Sequence, residues 1–260
     1  MKSTSRILSF LLLAALPFTL FAQGRTIVAA YMKVSQENYN DYPEVEQAWK
    51  KYHQKAIEAG VHNGWQLWRN LHAGMDDPYQ FITLQWYDHY EHALGENRPE
   101  GWLEGTYTDE EWEALYEKTL DARTYAIQEV ANLVSMVENP GQTRYLVVAR
   151  VDAKPGMEEE YEKMEDEIFK IYHEELIRRG VLSHWGVWKI YPYREGQHRY
   201  VIVNGYSNAK DLATPKPYIE AGELGIDYTM DEIMNLVQTT REDLGNIEVW
   251  ELVDFVFPEE

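Results

Sequence analysis

Residues 51–68 read KYHQKAIEAGVHNGWQLW, and residues 171–188 read IYHEELIRRGVLSHWGVW. The two stretches align without a gap at an offset of 120 residues. The identical pairs are Tyr52/Tyr172, His53/His173, Ile57/Ile177, Gly60/Gly180, Val61/Val181, Trp65/Trp185 and Trp68/Trp188. Two matching Trp and a matching Gly in one ungapped stretch indicate an internal duplication.

Each copy of the duplication has the same predicted order of elements: strand, helix, strand, strand, helix, strand. Apolar residues at helical spacing predict a first helix from Tyr42 to Ala59 in one copy and from Met157 to Arg179 in the other. Gly60 and Gly180 follow these helices, where a left-handed C-terminal cap favours a residue without Cβ.

The remaining elements follow from alternating apolar runs and from capping signals. Thr108 and Thr229 each precede a Glu by three residues, which is the spacing of a capping box at the start of a second helix. The predicted strands are Ile27–Val34, Trp65–Leu71, Gln80–Tyr87 and Asn132–Val137, then Tyr145–Val151, Trp185–Tyr191, Arg199–Tyr206 and Ile247–Phe257.

A βαββαβ order is the ferredoxin-like arrangement, with helices on one face of an antiparallel sheet. In the third strand Ile82, Leu84 and Trp86 point one way, while Phe81 and Tyr87 point the other, so both sheet faces carry apolar residues. A second sheet must cover the face that the helices leave open. We therefore predict an α+β fold of two tandem ferredoxin-like units, whose antiparallel sheets pack face to face as an intramolecular α/β barrel.

The predicted organisation has three segments: 1–22 as a signal peptide, 23–140 as the first unit and 141–260 as the second. The linker Glu138–Thr143, ENPGQT, contains the Pro-Gly signal of a turn. The signal peptide is indicated by Lys2, Arg6 and an apolar run that ends at Ala22. That run is shorter than a membrane span. We expect cleavage near Ala22 and a periplasmic or extracellular protein without a membrane anchor.

The motif G-V-x(3)-W-x(2)-W at 60–68 and 180–188, and the Pro155-Gly156 pair before an acidic, aromatic helix, resemble the dimeric α/β-barrel superfamily. The resemblance covers nearly all of residues 25–257. It implies two ferredoxin-like units that form one barrel. Members include cofactor-free antibiotic-biosynthesis monooxygenases, isomerases and lactone-forming enzymes, haem-dependent chlorite dismutase relatives, and stress proteins without known chemistry. The fold alone therefore does not decide the function.

Composition excludes several classes of function. The chain has 24 Lys+Arg against 44 Asp+Glu, and its formal charge of −20 argues against binding to nucleic acid or to an anionic membrane surface. It contains no Cys, which excludes disulfides, thiol catalysis, Cys-ligated zinc and iron–sulfur clusters. The sequence contains neither a Gly-rich nucleotide loop nor a nucleophile elbow.

Period-two alternation predicts a mixed polar and aromatic sheet face that lines a small-molecule pocket. The predicted ligand-binding residues are Trp68, Trp188, Gln85, Asn204, Lys33 and Arg150, with Tyr31 and Thr83 beside them. Alternatively, the aromatic residues fill a barrel core, and Lys33 and Arg150 cap the barrel rim. A register error of one residue would exchange the two faces.

The candidate catalytic residues are His53, His173, Tyr87 and Tyr206. Each of the two His residues flanks the apolar face of a predicted helix, and an imidazole there can act as a general base. A structural His that is hydrogen-bonded beneath a helix is the alternative, and duplication fits either interpretation.

No metal site and no cofactor are predicted. The segment 88–92, DHYEH, has two His three residues apart, but the second copy has SNAKD at 207–211. Asp88 and Glu91 are better explained as a helix N-cap and its capping-box partner. The acidic run in 158–167 lacks the alternating ligands of a calcium loop and is interpreted as a solvated helix face.

The predicted function is binding of a small molecule by an exported barrel, as a cofactor-independent monooxygenase or isomerase that acts on an aromatic or polyketide-like substrate. The alternatives are a non-catalytic ligand-binding or stress-response protein and a haem-binding barrel with an axial His. The sequence leaves open whether the protein is an enzyme, and whether it is a monomer or a homodimer.

Overall fold

The computed structural model describes residues 25–138, 143–193 and 197–258. The predicted signal peptide and most of the predicted linker lie outside the described residues. The first half contains β1 (Thr26–Val34), α1 (Tyr42–Glu58), β2 (Gly64–Asn70), β3 (Phe81–Tyr87), α2 (Tyr90–Ala93), α3 (Asp109–Ala122) and β4 (Arg123–Glu138).

The second half repeats this order. It contains β5 (Tyr145–Ala153), α4 (Glu158–Met164), a π-helical turn (Glu165–Phe169), α5 (Lys170–Arg178), β6 (His184–Ile190), β7 (Tyr200–Tyr206), α6 (Ala209–Leu212), a short 3₁₀ helix (Ala221–Leu224), α7 (Met230–Thr240) and β8 (Arg241–Val256). Within the described residues, no helix is long and apolar enough to cross a membrane.

The eight strands form one closed antiparallel barrel in the order β1-β3-β2-β8-β5-β7-β6-β4. The prediction of an α+β barrel is confirmed, but the two halves do not contribute separate sheets that only face each other. Instead β2 pairs with β8, and β4 pairs with β6, so each half closes the edges of the other. Closure gives every strand of the described residues a partner on both sides over at least part of its length.

The fourth strand of each half is much longer than predicted. Both β4 and β8 have 16 residues and begin directly where α3 and α7 end. Their first halves are rich in charged and polar residues, as in RTYAIQE at 123–129 and REDLGNIE at 241–248. A period-two apolar pattern is therefore absent there, and the backbone pairing with β1 and β5 holds the strand instead.

The π-helical turn accounts for a one-residue difference between the copies. Tyr42 and Tyr161, the equivalent aromatic residues at the beginning of α1 and α4, are 119 residues apart, whereas Tyr52 and Tyr172 are 120 residues apart. The extra residue lies in Glu165–Phe169, where the helix widens by one residue per turn. The predicted helix from 157 to 179 is thus continuous but not uniformly α-helical.

The predicted caps are mostly confirmed. Gly60 and Gly180 have φ of +69° and +72°, and Thr108 and Thr229 form complete capping boxes. The prediction for Asp88 is wrong. His89 occupies the N-cap of α2, while the Asp88 carboxylate accepts a hydrogen bond from Asn63 at 2.5 Å, which removes it from the helix end.

Candidate functional site

A cavity of about 930 Å³ lies inside the barrel. It reaches the barrel end at which β1 and β5 begin, where Arg25, Asn63 and Asp88 form part of its wall. The inner face that surrounds it is apolar and receives residues from all eight strands. The aromatic residues that line it are Tyr31, Trp68, Trp86, Tyr87, Trp188, Trp250, Phe255 and Phe257.

The indoles in this cavity are held in fixed orientations. Trp86 and Trp188 meet edge to face with ring centroids 5.5 Å apart. The indole N–H groups of Trp68 and Trp86 both donate to Oε1 of Gln66, at 3.3 and 3.2 Å. Because these donors are satisfied by the protein, the ring faces and edges are what the cavity presents to a ligand.

At the deep end of the cavity, Glu129 of β4 is buried among polar neighbours. The Tyr31 hydroxyl donates to Oε2 at 2.8 Å, and Nε2 of His198 lies 3.3 Å from Oε1. Burial alone would raise the pKa of Glu129, but His198, the Tyr31 hydroxyl and the positive charge of Arg150 hold that pKa below its usual range. The carboxylate is therefore ionised at neutral pH.

A second, half-buried carboxylate, Glu248 of β8, lies near the same end. It accepts hydrogen bonds from the Tyr79 hydroxyl at 2.5 Å, from Nη1 of Arg150 at 2.7 Å and from the Trp250 indole at 2.7 Å. Nη2 of Arg150 also donates to the Tyr79 hydroxyl at 2.6 Å. Burial raises the pKa of Tyr79, so its hydroxyl remains protonated and Arg150 supplies the compensating charge.

The two carboxylate clusters occupy equivalent positions in the two halves. At an offset of 119 residues Tyr31 corresponds to Arg150, Glu129 to Glu248, and Tyr79 to His198. In each cluster the carboxylate and its β1- or β5-strand partner come from one half, whereas Tyr79 and His198 come from the hairpin loop of the other half. Sequence reasoning missed Glu129 and Glu248. Their shared offset was a usable signal, but it differs from the 120 that aligns the Trp pairs.

The structure brings some of the predicted ligand-binding residues together. Trp68 and Trp188 both line the cavity, and Arg150 lies beneath its deep end. Lys33 does not reach it. Its ammonium group donates to the backbone carbonyls of Met75 and Asp77 and so fixes the β2–β3 loop, as the alternative of a rim cap predicted.

Gln85 and Asn204 lie on the outer, helix-covered face of the barrel and not with Trp68 and Trp188. Oε1 of Gln85 accepts from the Tyr87 hydroxyl at 2.7 Å, and Oδ1 of Asn204 accepts from Lys216 at 3.0 Å. The prediction that these residues share one face was wrong, because the face that carries Ile82, Leu84 and Trp86 lines the cavity. The mixed face is covered by helices and loops that satisfy its polar groups.

Tyr87 and Tyr206 are buried, and neither is placed as a proton donor at the deep end of the cavity. Tyr87 touches the cavity mouth, but its ring also contacts His62 on the outer face, and burial raises its pKa to about 12. Tyr206 packs into an outer cluster with Leu176 and Ile219. Gln85 and Tyr87 also line a smaller cavity of about 550 Å³ outside the barrel, near Arg98.

His53 of α1 and His173 of α5 are equivalent residues, and their side chains pack between the helix and the barrel. Their imidazoles stack on Trp65 and Trp185 with ring centroids 4.8 and 4.6 Å apart. Burial lowers the pKa of His53 to about 2 and that of His173 to about 3, so both rings are neutral. An imidazole covered by an indole on the outer face of the barrel cannot act as an axial haem ligand or a base inside it, which favours the structural alternative.

Among the residues that the structure describes, no group of three or more His, Asp or Glu is arranged to hold a metal ion. His184 is the one imidazole among the described residues that line the cavity.

No protein-family model and no curated protein matches this chain. Several solved structures are similar to this chain. A proposed monooxygenase from Lactobacillus acidophilus NCFM aligns over 90% of this chain and 97% of its own, with 11% identity and a TM-score of 0.54. An anthrone oxidase-like protein aligns over 92% of this chain and 94% of its own, with 11% identity and a TM-score of 0.51. At such identities the similarity shows the fold alone, an eight-stranded closed α/β barrel.

Proposed function

We propose that the protein binds a planar aromatic small molecule in the barrel cavity. The cavity itself carries this proposal: about 930 Å³ of space is lined by four indoles and ends on polar groups. This volume is within the usual range for ligand sites, and a mainly apolar lining with a few polar groups is their usual composition. A void of this size costs packing energy, which favours retention for a ligand over a simple core.

Within this binding function, the reaction proposed is a cofactor-independent oxidation or isomerisation of an aromatic or polyketide-like substrate. The fold shared with the proposed monooxygenase and the anthrone oxidase-like protein supports it. The ionised Glu129 and the Tyr31 hydroxyl supply groups that can orient the substrate and hold a proton.

The binding proposal is tested by filling the cavity. At an offset of 119 Ala131 corresponds to Trp250, so Ala131→Trp places in the first half the side chain that the second half already carries. Calorimetric titration with naphthalene-sized aromatic compounds should show binding to the wild type and its loss in Ala131→Trp. The control is Thr124→Trp, at an exposed position on the same strand that lines neither cavity. Equal binding by the wild type and both variants would place the ligand elsewhere.

The fate of the bound ligand distinguishes an enzyme from a non-catalytic binding protein. Incubation of the protein with a bound aromatic compound in air, followed by mass spectrometry of the extracted compound, should show a mass gain of oxygen or an isomer with a new retention time. If every compound is recovered unchanged, the proposed reaction is rejected and the non-catalytic alternative remains.

We also propose that the chain is a tandem fusion of two ferredoxin-like units, 23–140 and 141–260. The strand orders β4-β1-β3-β2 and β8-β5-β7-β6 support it, because they are the same order in the two halves. Export through a signal peptide at 1–22 is a further proposal, and it rests on the sequence pattern. Mass spectrometry of protein recovered from the cell exterior or periplasm should then give an N-terminus near Gln23.

A further inference from the structure

Glu129 and Glu248 occupy equivalent positions, but only Glu129 forms part of the cavity wall. Two residues further along each strand, β8 carries Trp250 and β4 carries Ala131. The Trp250 indole donates to Glu248 at 2.7 Å, and Trp250 rather than Glu248 lines the cavity. Ala131 has neither a donor nor the bulk to cover Glu129. As a result Glu129 is part of the cavity wall, whereas Glu248 is not.

The two carboxylates also differ in charge compensation. Nη1 of Arg150 lies 2.7 Å from Glu248, so that carboxylate belongs to a complete ion pair. The residue equivalent to Arg150 in the first half is Tyr31, which offers Glu129 a neutral hydroxyl. Nε2 of His198 lies 3.3 Å from Glu129. The positive charge of Arg150 also acts on Glu129, but its guanidinium donates its hydrogen bonds to Glu248 and to Tyr79.

The aromatic walls lie next to Glu129, on the side of the cavity mouth. Trp86 on β3 is paired with Ile27 of β1, and Ile27 is paired with Ala131 of β4, which places this indole one layer above the carboxylate. Trp188 lies on β6, the strand that flanks β4 on its other side, and meets Trp86 edge to face. A ligand whose polar end reaches Glu129 therefore has indoles beside its body.

Building on the proposed function, we propose that the cavity selects an organic cation, an aromatic molecule with a protonated amine that binds Glu129. An ammonium group would complete the ion pair that Arg150 completes for Glu248. Indole faces attract cations in addition to burying the aromatic body. The charge of −20 on the chain favours the approach of a cation, and an anionic ligand would meet a buried carboxylate. The first half, and not the second, is then the half that recognises the ligand.

The test compares three probes with one aromatic body and different charges: 2-naphthylmethylamine, 2-naphthalenemethanol and 2-naphthoic acid. Isothermal titration at pH 8 keeps the amine largely protonated and the acid ionised. The amine should bind the wild type about 10-fold more tightly than the alcohol, since a charge-assisted hydrogen bond to a buried carboxylate is stronger than a neutral one. The acid should bind most weakly.

The variants assign this preference to one residue. Glu129→Gln still accepts from Tyr31 but lacks the charge, so the amine should lose about 10-fold in affinity while the alcohol changes by less than about 2-fold. Glu129→Asp keeps the charge and should keep the order of the probes. Glu242→Gln, at an exposed position on β8, makes the same change in net charge and should leave all three affinities unchanged.

The failure of this inference is distinguishable from the failure of the proposed function. If the alcohol or the acid binds as tightly as the amine, and Ala131→Trp abolishes that binding, the cavity binds ligands but does not select cations. If none of the probes binds the wild type, both proposals fail for ligands of this size. If Glu129→Gln does not fold, the order of affinities in the wild type and in Glu129→Asp still decides between the outcomes.

Discussion

The π-helical turn contains a buried carboxyl group whose protonation should control stability. Glu165 is 2% exposed and lies beside Tyr161, and Nη1 of Arg241 is 3.8 Å from its Oε1. Arg241 also forms an ion pair with Asp243, whose Oδ1 is 3.0 Å from its Nε. Burial raises the pKa of Glu165 from 4.5 to about 7, while Tyr161 and Arg241 only partly oppose that effect. The folded state therefore favours the protonated carboxyl.

The sign and size of the effect follow from linkage. Because the pKa is raised on folding, the contribution to stability is fully present below about pH 4.5 and is lost as the pH rises through about 7. At about 1.36 kcal/mol per pKa unit, the loss approaches ~3 kcal/mol. Glu165→Gln has a similar volume and cannot ionise. Relative to the wild type, its free energy of unfolding should rise by ~2–3 kcal/mol between pH 5 and pH 8.

Urea denaturation at pH 5, 6, 7 and 8 measures this difference directly. The control is Glu167→Gln, in the same π-helical turn, whose side chain is 61% exposed and which should follow the wild type at every pH. In the first half Glu46 is also buried, but Nε of Arg123 lies closer to it, at 3.2 Å. Glu46→Gln should therefore show a smaller pH-dependent gain. A pH-independent difference between Glu165→Gln and the wild type would refute the reasoning.

Further tests concern the caps and the closure of the barrel. Gly180→Ala should lower the free energy of unfolding by ~1 kcal/mol, because the φ of +72° disfavours a residue with a Cβ, and the melting temperature should fall by a few °C. Gly222→Ala is the control: it also adds a Cβ in open space, but its φ is not left-handed, so it should be near neutral. Thr229→Ala removes a capping box and should cost ~1 kcal/mol by urea denaturation, and an unchanged midpoint would contradict that role. A fragment of residues 24–140 lacks β8 beside β2 and β6 beside β4, so it exposes two strand edges. It should dimerise or aggregate in analytical ultracentrifugation, and a folded monomer would contradict this expectation.

Local patterns were sufficient to predict most elements of the fold. The helices, their caps and the hairpin strands follow from periodicity, from Gly60 and Gly180, and from the Thr-x-x-Glu spacings, each of which acts within a few residues. The predicted duplication added the expectation of a barrel, because each sheet has a second apolar face and the sheet of the other half can cover it. The beginnings of β4 and β8 were not predictable in this way, since their polar residues are held by backbone pairing with distant strands.

The candidate site was less accessible to sequence reasoning. Trp68 and Trp188 were predicted to be ligand-binding residues and do line the cavity, but Gln85 and Asn204 were assigned to it on the assumption that polar side chains mark the ligand face. In the closed barrel Gln85 and Asn204 lie on the outer face, and the opposite face lines the cavity. The polar groups at the deep end come from β1, β4, β5, β8 and a hairpin loop of each half, and no spacing within one segment brings them together.

The divergence of the two copies explains why a symmetric fold need not have two ligand sites. The pairs Tyr31/Arg150, Ala131/Trp250 and Tyr79/His198 are equivalent in position but differ in charge, size or proton chemistry. The first two differences act in the same direction. In the second half Arg150 forms an ion pair with the carboxylate and the Trp250 indole donates to it, so that half resembles a completed core. In the first half the same backbone leaves an ionised Glu129 on the wall of an aromatic cavity, because the side chains that would complete the core are absent from positions 31 and 131.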